Sequence, residues 1–112
     1  MIRYYNEKCG LRLSATKNYP KVAMRNHKLA AKQGNLLVRS LVLPNHLKCD
    51  ALPIIRWLAK NLKDKALVNV MSQYRPCFKA REYHEISRVL TSKEYDEAYR
   101  LAKKLGLNLV NV

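Results

Sequence analysis

Few groupings in this sequence combine residue types and spacing in a way that could do chemistry. Arg39 interrupts the apolar run Leu36 to Leu43. On a strand it shares a face with Leu37, Leu41 and Leu43, where a cation needs a carboxylate, a ligand or a route to solvent. Glu82, Tyr83, His84 and Glu85 form a cluster able to hold an acid-base group, or simply a solvated stretch of loop. His27, His46 and His84 lack the close spacing of a zinc site, and the three glycines are not grouped into a phosphate-cradling loop. Cys9, Cys49 and Cys77 are far apart and odd in number. They make no ligand pair, a disulfide framework is not expected of a cytosolic chain, and each reads as a small hydrophobe. Spacing therefore yields no catalytic residue and no metal set.

The elements that position these residues centre on Gly34 to Tyr74. The run Leu36 to Leu43 stops at Pro44-Asn45-His46, a helical pattern follows from Asp50 to Leu62, and a second strand-like run extends from Leu67 to Tyr74. That succession predicts a βαβ unit with parallel strands. In the helix, Asp50 is the expected N-cap, and Leu52, Ile55, Leu58, Ala59 and Leu62 give a buried stripe. On the second strand Asn69 and Gln73 share one face, which suits the partly polar lumen of an incomplete barrel, or amides paired with each other or with water.

Ahead of this unit, Ile2 to Tyr5 reads as the tail of a strand and Asn6 to Ser14 as polar and irregular. A helix is expected from the Asn18 N-cap, with Pro20 in its first turn, to a stop at Gly34. After the unit, Arg75 to Leu90 is a long irregular stretch. Thr91 to Glu94 then matches a capping box that opens a helix ending at Gly106, and Leu107 to Val112 supplies a last strand. In parallel α/β architecture ligands sit at the carboxyl ends of strands, a rule that selects Asn45, His46, Gln73, Tyr74, Arg75 and Tyr83.

Composition bounds the rest. The 112 residues suit one domain, 1–112, and with 48% hydrophobic content the chain is not disordered. No apolar run approaches the roughly 20 residues of a membrane span, and the first residues lack the apolar core of a secretory signal, so a cytoplasmic protein is expected. The formal net charge of +14 would draw in nucleic acid or acidic surfaces, but the lysines are spread over every segment and no recognised nucleic-acid motif accompanies them.

The string Leu37-Val38-Arg39-Ser40-Leu41-Val42-Leu43-Pro44-Asn45-His46 is followed by Asn69 to Pro76, Tyr83 to Arg88 and Leu90-Thr91. With Asn18-Tyr19, Arg25-Asn26 and Gln33-Gly34, it resembles the carboxyl-terminal half of radical S-adenosylmethionine proteins related to pyruvate formate-lyase activating enzyme. The resemblance implies an α/β fold, a partial (β/α) barrel of three to four parallel strands with three helices on one face. It also implies S-adenosylmethionine cleaved at a four-iron, four-sulfur cluster. By position, Arg39 would lie near bound S-adenosylmethionine, Gln73 and Tyr74 at the next strand end, and Asn45 and His46 in less defined roles. The family's Cys-x-x-x-Cys-x-x-Cys loop and the amino-terminal strands that carry it have no counterpart here. The expectation is a split or truncated half-barrel, inactive alone, that binds these cofactors only with a separate amino-terminal half. Two other readings stay open: a non-catalytic binding module that dimerises through its sheet, and a basic nucleic-acid-binding protein. An open sheet favours a homodimer or a missing half as partner.

Overall fold

The computed structural model describes residues 1–76, 80 and 82–110. Strands form within the two apolar runs: β1 is Leu36–Leu41 and β2 is Ala66–Met71. They pair in parallel, with Val38 opposite Val68 and Arg39 opposite Asn69. Both end before the apolar runs do; one further contact, Val42 N–H to the Met71 carbonyl at 3.1 Å, closes the ladder before Pro44 turns the chain away. A short β3, Asn108–Leu109, lies on the other edge of β2. Ile2 bridges to the remaining edge of β1, parallel to Ser40, and donates its N–H to the Arg39 carbonyl at 2.8 Å. Order across the sheet thus repeats order along the chain. The sheet never reverses direction, so it contains no topological switch point.

Four α-helices accompany the strands: α1 Glu7–Ser14, α2 Tyr19–Lys32, α3 Leu52–Asn61 and α4 Ser92–Lys104. The first corrects the sequence reading of an irregular segment. Asn6 caps α1 by accepting from the N–H groups of Lys8 and Cys9 at 2.9 and 3.1 Å, which satisfies donors that a helix start leaves orphaned. Asn18 holds the N-cap position the sequence suggests and its carbonyl accepts from the Val22 N–H at 3.0 Å, but at a left-handed φ of 59° its side chain makes no capping hydrogen bond; Pro20 sits in the first turn as expected. Asp50 does not cap α3 either. It lies inside a π-helical turn, Leu47–Ala51, that runs directly into that helix. The Thr91–Glu94 capping box forms as the sequence predicts, and Gly106 ends the following turn at a φ of +78°, where a side chain would be strained. Of the expected features, Cys77, Phe78, Lys79 and Arg81 in the long stretch, and Asn111 and Val112 in the last strand, lie outside the described residues.

Pleating divides the sheet into two unlike faces. Val38, Val42, Ala66, Val68 and Val70 join Ile54, Ile55 and Leu58 of α3 and Ala98 and Ala102 of α4 in one core, with Ala23 and Ala31 of α2 packed alongside. Burying each large aliphatic side chain there stabilises by about 1.5–3 kcal/mol. On the opposite face the paired Leu37 and Leu67 remain 37% and 49% exposed, and Arg39, two residues on, is exposed opposite the buried Asn69. Among the described residues, that face is covered from Asn69 toward the strands' carboxyl ends, where Leu41 and Leu43 pack with Tyr4 and Ile86. Among the described residues no helix is long and apolar enough to cross a membrane.

Candidate functional site

The residues at the carboxyl ends of the strands are held by two separate networks. In the first, Asn45 adopts a left-handed φ of 63°, which asparagine tolerates better than most residues. That conformation aims its backbone N–H at Glu94 Oε2, at 2.9 Å, while its side chain donates to the Glu85 carbonyl at 2.8 Å and accepts from Arg88 at 3.2 Å. Arg88 in turn makes two contacts with Glu94, at 2.8 and 3.2 Å. Arg88, with further hydrogen bonds from Asn45 and Thr91, holds the Glu94 carboxyl down at about 2. Nearby, Arg12 grips Glu85 through both carboxylate oxygens at 2.9 and 3.1 Å, holding Glu85 below the usual carboxylate range. Tyr74 donates its hydroxyl to the Ile86 carbonyl at 2.7 Å. The segment after β2 is thereby strapped over the strand ends. In the cluster Glu82 to Glu85, Glu85 is committed to Arg12 and the Tyr83 hydroxyl donates to the Arg12 carbonyl at 3.2 Å.

The second network is buried. His46 follows β1 at the N-cap of the π-helical turn, and one turn later come Cys49 and Asp50 within it; Cys9 reaches the same spot from α1. His46 Nδ1 lies 2.8 Å from Asp50 Oδ2 and 3.2 Å from Cys49 Sγ, and the Cys9 and Cys49 sulfurs are 3.7 Å apart. One ligand-type atom from each of the four residues lies within 4.8 Å of the others. Asp50 Oδ1 accepts from the backbone N–H groups of Tyr5 and Asn6 at 2.9 and 3.0 Å, tying the amino-terminal segment to the turn. Burial alone would raise the Asp50 pKa, but the hydrogen bonds from His46, Asn6 and Tyr5 outweigh it and hold the carboxyl below its ordinary value. Burial, reinforced by the Asp50 charge, pushes the Cys49 thiol up to about 12 and raises Cys9 as well. His46 Nε2 is buried with no hydrogen-bond partner among the described residues.

The five residues selected from the sequence are therefore not one cluster. Asn45 and Tyr74 serve the strap, and His46, 3% exposed, serves the buried network. Arg39 and Gln73 are exposed, and Arg39 makes no ion pair among the described residues. Sequence reasoning missed the company that His46 keeps. His46, Cys49 and Asp50 at i, i+3 and i+4 was a readable signal, since one helical turn places all three together. Cys9 gave no such signal, because a fold contact alone carries it there.

No protein-family model matches this sequence, and no solved structure matches it. An uncharacterized protein of Methanocaldococcus jannaschii is 47% identical over 108 residues, 96% of this chain. The chain spans 31% of that relative's length.

Proposed function

We propose that this chain is one wall of a (β/α) barrel enzyme of the radical S-adenosylmethionine class, contributing part of the lumen and inactive by itself. The observation that carries the reading is the sheet: parallel strands in chain order, α3 and α4 packed on one side, and an opposite side that leaves Leu37, Arg39 and Leu67 exposed while α1 and Ile86 cover only its carboxyl end. In a barrel that bare side faces inward, and the carboxyl ends of its strands carry the site. The resemblance over Leu37 to His46 and Asn69 to Pro76 supports the class, and the greater length of the archaeal relative supports a larger whole.

The residues present fit the two cofactors unequally. Cys9 and Cys49 sit in a crowd too tight for a four-iron, four-sulfur cluster, so the cluster's ligands belong to the remainder of the longer protein. S-adenosylmethionine bound at such a cluster supplies the radical that abstracts hydrogen from substrate. This chain's part is to bind and orient: the exposed Arg39 guanidinium suits the carboxylate of the methionyl end, which it can grip bidentately, and Gln73 offers an amide at the neighbouring strand end. Asn45, Tyr74 and His46 hold the backbone that carries those two.

The test is anaerobic reconstitution of the intact archaeal relative with iron and sulfide, and of a chimera carrying this chain in place of the matching segment. Both should cleave S-adenosylmethionine to 5′-deoxyadenosine, and Arg39→Ala in the chimera should weaken S-adenosylmethionine binding. An intact relative that takes up no cluster and cleaves nothing contradicts the proposal.

A further inference from the structure

Two thiols, an imidazole and a carboxylate meet at Cys9, His46, Cys49 and Asp50, beyond the end of β1 and apart from the exposed Leu37, Arg39 and Leu67. We infer that these four side chains form a closed, tetrahedral site for one divalent zinc-type ion, which pins α1 to the turn after β1.

Four of the six spacings carry the assignment, the two from Cys9 to His46 and Asp50 lying within 4.8 Å. Two thiolates on a tetrahedral zinc, each about 2.3 Å from the metal, stand about 3.8 Å apart; the Cys9 and Cys49 sulfurs stand 3.7 Å apart. A sulfur–oxygen edge of the same tetrahedron is about 3.5 Å, and Cys49 Sγ lies 3.5 Å from Asp50 Oδ2. Cys49 Sγ to His46 Nδ1, at 3.2 Å, is slightly short. The His46–Asp50 edge, now a hydrogen bond of 2.8 Å, has to open by about half an ångström as the ion takes the proton's place.

The surroundings suit an ion as well. His46 and Asp50 are 3% and 1% exposed, which keeps water from competing. The second oxygen of Asp50 is already fixed by the Tyr5 and Asn6 N–H groups, the kind of outer hydrogen bond that orients a ligating carboxylate. Two sulfurs with one nitrogen and one oxygen favour zinc over magnesium or calcium. Binding releases the two thiol protons, the imidazole proton passes from Nδ1 to Nε2 as Nδ1 takes the ion, and no electron moves. Two thiolates and a carboxylate against a doubly charged ion leave a net charge of about −1 at the site. With all four positions filled by protein, the ion is structural and offers no vacancy to a substrate.

The reduced, metal-free 112-residue chain titrated with cobalt(II), then with zinc chloride, tests this. The expected result is one cobalt per chain, with the strong ligand-field absorption of a tetrahedral ion and thiolate-to-cobalt charge transfer. Zinc should displace the cobalt, and the melting temperature should rise. Cys9→Ser should lower the charge-transfer band and weaken affinity by at least about 10–100-fold, the scale seen for loss of even an outer partner. Circular dichroism of that variant separates loss of a ligand from loss of fold, and the wild-type cobalt spectrum decides the question if the variant unfolds. Weak six-coordinate cobalt absorption, binding indifferent to Cys9→Ser, or a thiol pair that oxidises to a disulfide while the reduced chain takes up no metal would each overturn the inference. None of these outcomes touches the barrel reading, which rests on the exposed Leu37, Arg39 and Leu67.

Discussion

The two faces of the sheet differ more than any two helices do. On one, Val38, Val68 and Val70 are sealed by three helices; on the other, Leu37, Arg39 and Leu67 stand in solvent over the same backbone. The alternation of a strand guarantees that both faces exist, but nothing in the described residues covers the lower half of the second. A face that is finished and a face that is not, on one sheet, is the contrast on which the proposed barrel reading rests.

Substitutions break that comparison in order of size. Ile55→Ala, under the sealed face, should cost about 2–5 kcal/mol in denaturant unfolding, because it leaves a cavity that three packed helices cannot collapse. Asp50→Ala should cost about 1–3 kcal/mol, since the N–H groups of Tyr5 and Asn6 and the ring of His46 all lose their acceptor; α1 should lose hydrogen-exchange protection first. Acid should act next. The Glu94 carboxyl, held at about 2 against an ordinary 4.5, contributes stability that is fully present above pH 4.5 and lost as pH falls toward 2. Its partners are partly in water, so the effect is about 1 kcal/mol or less, and Glu94→Gln should flatten the acid limb of the unfolding curve. Leu37→Ser with Leu67→Ser, on the bare face, should change stability by less than about 0.5 kcal/mol in the isolated chain while reducing self-association in sedimentation. A large loss of stability there would mean that the face is covered after all.

What could be read from the sequence was what local chemistry enforces. Thr91 and Glu94 cap one another within a single turn, and the apolar runs around Val38 and Val68 form the paired parallel strands their succession predicts, though Leu37 and Leu67 stay exposed on a face the continuous apolar run suggested would be covered. Arg39 stood out because one cation interrupts a strand. What escaped depends on distant partners. Helix α1 has a weak pattern of its own and is anchored by Asp50, whose side chain the sequence offered as a helix cap but which the fold spends on Tyr5 and Asn6. The π-helical turn, which moves the helical start back to Leu47, follows from that same anchoring and from no local propensity. Cys9 and Cys49 looked like bystanders because their 3.7 Å approach is made by the packing of α1.

Charge adds a related point. Glu7, Asp50, Glu85 and Glu94 are each engaged with a partner inside the chain, so the excess of lysine and arginine goes largely uncompensated. Among the described residues, Arg39 is a cation of that excess placed within a sheet strand.

The most direct measurement is the thiol-labelling rate at Leu67→Cys, followed by peptide mass spectrometry so that the native cysteines are read separately. It is compared between the isolated chain and the same chain built into the longer archaeal relative. Burial of the bare face within a barrel predicts labelling slower by on the order of tenfold or more in the longer protein. Equal rates in the two would mean that the face stays open to water, contradicting the claim that it lines a shared interior.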